Sequence, residues 1–164
     1  MRIRGVRVTL LAAAVLLVLG VACEPKVIPG TQINDTPETR SLASLVVEKY
    51  RRAMEAREAD TILSMASPRF HETGGTANAK DDYNIDGLKK RLAEKFKRLK
   101  ALTLDLTLID VAVDEDGQKA TVKYHYFLKY LVQYPNEERW ETQSEDAQMI
   151  FALENGEWKV LSGL

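Results

Sequence analysis

Residues 102–132 read LTLDLTLIDVAVDEDGQKATVKYHYFLKYLV, and the period of this stretch decides the fold class. Leu102, Leu104, Leu106 and Leu108 alternate with Thr103, Asp105 and Thr107, the period of two that a half-buried strand shows. The apolar phase then slips by one, to Ile109, Val111 and Val113. One extra residue in a long bent strand produces such a slip, so a β-bulge is expected between Leu108 and Ile109. Asp114-Glu115-Asp116-Gly117 reads as a turn. Val122, Tyr124, Tyr126, Leu128, Tyr130 and Val132 alternate in a second strand, with Phe127 and Leu131 on its other face.

Outward from this pair, Pro135-Asn136 turns the chain into a third strand over about 139–153. Asn155-Gly156 is a strong hairpin signal leading to Trp158 and Val160. Upstream the period becomes helical. Thr36 is a plausible N-cap with Pro37 behind it, and Leu42, Leu45, Val46, Tyr50, Ala53 and Met54 form the stripe of a helix over 37–57. Asp60 is expected to cap a short helix that Pro68 ends, and Asp86 one that carries Leu88, Leu92, Phe96 and Leu99. Residues 70–85, FHETGGTANAKDDYNI, are the least regular part of the domain. Helices first and an antiparallel meander after them make an α+β domain.

The 164 residues carry 29% charged side chains and a formal net charge of −1, which offers no basic excess for nucleic acid. One cysteine, Cys23, excludes an internal disulfide and a thiolate metal cluster. Its position is informative. Arg2, Arg4 and Arg7 precede an almost unbroken apolar run from Val8 to Leu19, and small residues lead into Cys23. Leu19-Gly20-Val21-Ala22-Cys23 resembles a bacterial lipobox, with Gly20 where leucine is usual. That resemblance implies a signal peptide over 1–22, acylation at Cys23 and a membrane anchor. By resemblance to the sorting rule of Gram-negative lipoproteins, Glu24 after the cysteine implies the outer membrane, with the domain facing the periplasm. Residues 23–35, holding Pro25, Pro29 and Gly30, read as a lipidated, flexible tether, and 36–164 as the domain.

The element order and the ending NGEWKVLSGL, residues 155–164, are similar to the cone-shaped, cystatin-like fold of nuclear transport factor 2, SnoaL and ketosteroid isomerase. The resemblance implies three N-terminal helices packed on a curved four-stranded antiparallel sheet around a conical cavity. Possible cavity-lining residues are Tyr50, Met54, Phe96, Asp105, Tyr124, Tyr126 and Trp158.

No single chemistry follows from these residues. His71 and His125 lack a metal-ligand partner at short spacing, Asp81-Asp82 lacks the calcium-loop pattern, and no nucleophile-elbow or phosphate-loop motif occurs. No cofactor or metal is expected. The helix after Asp86 carries Lys89, Lys90, Arg91, Lys95, Lys97, Arg98 and Lys100 against Glu94, either a solvated face or a contact for anionic headgroups. The preferred expectation is a non-catalytic envelope lipoprotein binding a small apolar ligand or a protein partner. One alternative is an isomerase or hydro-lyase using Tyr50, Asp105 and Tyr124; another is a scaffold dimerising through the outer sheet face.

Overall fold

The computed structural model describes residues 26–73 and 81–164. The expected signal segment and Cys23 lie outside the described residues. Within them, three helical stretches precede a four-stranded antiparallel meander, as the α+β reading required.

The first stretch is α1 (Pro37–Ser44), a π-helical turn (Leu45–Tyr50) and α2 (Arg51–Ala56), running without a break. Thr36 caps α1 in a reciprocal capping box with Thr39. The π turn has a geometric effect. In a regular helix, residues four apart drift by about 40° per step, since each residue advances about 100°. The wider turn takes up that drift, so Leu42, Val46, Tyr50 and Met54 stay on the inward side. Arg57, at φ 58°, ends α2 in the left-handed conformation.

Helix α3 (Ala59–Met65) starts at Glu58, with Asp60 inside its first turn; α4 (Ile85–Arg98) starts at Asn84, whose side-chain oxygen accepts from the amides of Asp86 and Gly87. Both caps lie two residues before the expected ones. The short strands β1 (His71–Glu72) and β2 (Tyr83–Asn84) pair across the irregular loop.

The sheet is β3 (Leu99–Val113), β4 (Lys119–Gln133), β5 (Glu138–Glu154) and β6 (Glu157–Ser162), in that spatial order. Its register slips between Leu108 and Asp110, leaving Ile109 as the extra, half-exposed residue at the expected bulge. The Asn155-Gly156 turn has positive φ at both residues, the requirement that selects this pair between β5 and β6. The concave face presents Leu102, Leu104, Val111, Val122, Leu128, Met149, Phe151 and Val160 to the helices. Two side chains from the end of the first helical stretch reach the edge strand. Glu55 accepts a hydrogen bond from the Leu104 amide at 3.0 Å, and Arg57 donates to the Leu99 carbonyl at 2.7 Å.

Residues 26–35, read as tether, fold back as a small hairpin. Val27 bridges Asn34, the Asp35 amide donates to the Lys26 carbonyl at 2.7 Å, and Ile33 is 5% exposed in the core. One buried isoleucine and Thr39, whose hydroxyl donates to the Asn34 carbonyl, hold it down. Among the described residues no helix is long and apolar enough to cross a membrane.

Candidate functional site

A cavity of about 260 Å³ lies between the inward stripe of the first helical stretch, α4 and the concave face of the sheet. Leu104, Leu106, Leu128, Met54 and Ala147 give it apolar walls, and Tyr50, Tyr124 and Tyr126 bring three phenols into it. Strand alternation places Tyr124 and Tyr126 on this face, and the π turn places Tyr50 opposite them. A second compartment, also about 260 Å³, continues towards the turn between β4 and β5 and shares Lys95, Leu128 and Gln143 with the first. Its other walls include Arg98, Tyr130, Tyr134 and Glu141.

The two compartments differ in hydrogen bonding. Glu141 is saturated: it accepts from the Tyr134 hydroxyl at 2.6 Å, the Tyr130 hydroxyl at 3.0 Å and the Arg139 guanidinium at 2.9 Å. The bond from Tyr134 leads the effects that hold its carboxyl below the usual range. In the inner compartment the Tyr50 and Tyr124 hydroxyls have no protein partner among the described residues, while Tyr126 makes a long 3.4 Å bond to Glu145. No side-chain polar atom among these residues is both buried and unsatisfied, so solvent or a ligand reaches both free phenols.

Burial raises the pKa of both, Tyr50 to about 12 and Tyr124 beyond that, with further contributions from the neighbouring phenols. A phenol is neutral when protonated, so a raised folded-state pKa stabilises the native chain fully below about pH 10. That contribution is lost as pH rises from about 10 through about 12. In an alkaline titration we expect the Tyr50 and Tyr124 phenolate signals to rise later than those of exposed tyrosines, Tyr50 near pH 12. If every phenolate signal rises near pH 10 with the fold intact, these two rings are not sequestered.

Four of the seven residues singled out from sequence, Tyr50, Met54, Tyr124 and Tyr126, line the inner compartment. Three do not. Asp105 is exposed on the convex face, because it alternates with Leu104 and Leu106, which face inward. Phe96 packs against the core without lining either compartment. Trp158 lines a different, broader cleft of about 760 Å³ at the far end of the strands, between the 26–35 hairpin, the start of α1 and the turn at Asp114–Gly117. With Asp105 outside, the isomerase or hydro-lyase alternative keeps two of its three residues, Tyr50 and Tyr124, in the cavity.

Sequence reasoning missed Lys95. It falls three residues after Leu92 and four before Leu99, on the core-facing side of α4. It lines both compartments. The residue as a whole is exposed, yet the protein around its ammonium displaces enough water to lower its pKa. Also missed was a group on the convex face, where His125 Nδ1 lies 2.7 Å from Asp146 Oδ1 and Nε2 lies 2.9 Å from Ser144 Oγ. This has the order of a nucleophile, base and orienting acid. It sits on flat strand surface whose amides lie in the plane of the sheet, so no pair of them converges above the serine to hold an oxyanion.

No family model and no curated protein matches the sequence. Solved structures do match in shape. A conserved protein from Planctomyces limnophilus superposes with a TM-score of 0.62 at 14% identity, over 77% of this chain and 94% of that one. A nuclear transport factor 2-like superfamily protein from Salmonella enterica gives 0.59 at 11% identity, over 76% and 89%. A candidate dehydratase of the same family from Streptomyces avermitilis gives 0.55 at 19% identity, over 78% and 95%. Three helical stretches on a curved antiparallel sheet, with a cavity between them and these structures alongside, establish the cone-shaped fold of nuclear transport factor 2-like proteins.

Proposed function

We propose that the protein is a non-catalytic binding module whose cone holds a small, largely apolar ligand, and that Cys23 is acylated to anchor it at the bacterial outer membrane, facing the periplasm. The observation that carries the ligand reading is the inner compartment, open, apolar-walled and fitted with two phenols that have no protein partner. The anchor rests on the N-terminal sequence alone: a positive segment, an apolar run of signal length and a cysteine after small residues.

Native mass spectrometry of residues 24–164 tests the first part. An added mass that leaves on denaturation supports a bound ligand. An apo spectrum that stays unchanged after incubation with envelope lipid extract and small hydrophobic acids and alcohols counts against it. A bound molecule returned chemically altered would move the reading to an isomerase or hydro-lyase, a dehydratase being named among the structural neighbours. For the anchor, Cys23→Ser should move the exported protein from the membrane to the soluble fraction; a serine variant that stays membrane-bound rejects acylation there.

A second reading, a scaffold that dimerises through the convex face, is favoured by Phe127 and Trp140, 42% and 52% exposed. An apo dimer that Trp140→Lys separates would support it.

A further inference from the structure

The charges lining the cone are asymmetric in a way that bears on what it holds. In the two compartments the ionisable side chains other than tyrosine are Lys95, Arg98 and Glu141. Glu141 has its oxygens engaged by Tyr130, Tyr134 and Arg139. Arg98 faces the ring of Tyr134 at 5.6 Å and has no carboxylate partner among the described residues. Lys95 has neither a hydrogen bond nor an ion pair among them, and the sequence of residues 74–80 contains no acid. Nearby acids are committed elsewhere. Glu145, at the rim, bonds Tyr126 and Gln143, while Glu72 accepts the Gly163 amide at 2.7 Å.

An ammonium that lines a cavity with no counter-charge beside it is a ready partner for an anion held there. Besides Lys95 and Gln143, the inner compartment offers carbon walls and neutral hydroxyls. One molecule that suits both has an apolar body and an acidic end. Resting on the ligand-binding reading above, we infer that the occupant of the cone is an amphipathic carboxylic acid, its hydrocarbon part among Met54, Leu104, Leu106 and Tyr124 and its carboxylate at Lys95 and Arg98. The phenols of Tyr50 and Tyr124 remain free to donate to an oxygen carried on the hydrocarbon.

The test is calorimetric titration of the protein with octanoate and with octanol, which share a chain and differ in charge. Octanoate should bind about tenfold or more tightly than octanol, the size of one charge-assisted hydrogen bond in a partly desolvated site. Lys95→Met should bring octanoate to the level of octanol and leave octanol unchanged, with Arg98→Met giving a smaller shift the same way. Both positions are exposed, so the variants should melt as the parent does. Equal binding of the two probes, or octanoate binding that survives Lys95→Met, overturns the acid reading while the cavity reading stands. If neither probe binds, both readings fall.

Discussion

Phe151→Ala is expected to lower the unfolding free energy by about 3–5 kcal/mol, the cost of emptying a phenylalanine site that cannot collapse. Phe151 is wholly buried, on the concave face of β5, opposite Ala120 of β4 and Val160 of β6. Strands on both sides and the helices above fix its surroundings, so little can move into the gap. For a domain of this size the loss is a fifth or more of the typical total of about 5–15 kcal/mol. Urea unfolding reads it as a fall in midpoint at unchanged slope. Trp140→Ala, on the exposed face, should stay within about 0.5 kcal/mol of the parent. A Phe151→Ala cost under about 1.5 kcal/mol would mean that this part of the core relaxes freely, against the packing described.

Glu55→Ala should cost about 2 kcal/mol, an amount set by one charge-assisted hydrogen bond and the amide it leaves behind. One carboxylate oxygen takes the Leu104 amide and the other the Arg51 guanidinium at 2.8 Å. The Leu104 amide belongs to the sheet's edge strand, and among the described residues Glu55 is its partner. Glu55→Gln keeps an acceptor in place and should cost less than half as much. Hydrogen exchange supplies the specific readout: the Leu104 amide should lose protection in the alanine variant and largely keep it in the glutamine one. Unchanged protection in both would mean that solvent or another group serves that amide.

The strands were legible in the sequence because their signals are local. The phase slip at Leu108 and Ile109 is the bulge itself, and Asn155-Gly156 names its turn chemistry. Asp105 shows a signal present and not followed, since its neighbours Leu104 and Leu106 already assigned it to the other face. Residues 26–35 are a different case. Their fold depends on Ile33 finding a pocket in the core and Thr39 reaching back to Asn34, contacts that no period within ten residues reveals. The candidate site was half legible for the same reason. Tyrosines at strand spacing announce a face, but that Lys95 meets them from α4 is a tertiary fact.

The π turn in the first helical stretch carries a further implication, for tolerance to change in chain length. Deleting Val47 or Glu48 would let the stretch become an ordinary α-helix. Leu42, Val46, Tyr50 and Met54 would then stand four, three and four residues apart, spacings that an α-helix keeps within an arc of about 60°. The inward face would survive the loss, with the axis shortened by about 1.5 Å. The wide turn thus stores one residue that the face does not need, and a chain one residue shorter at this point should fold to the same cone.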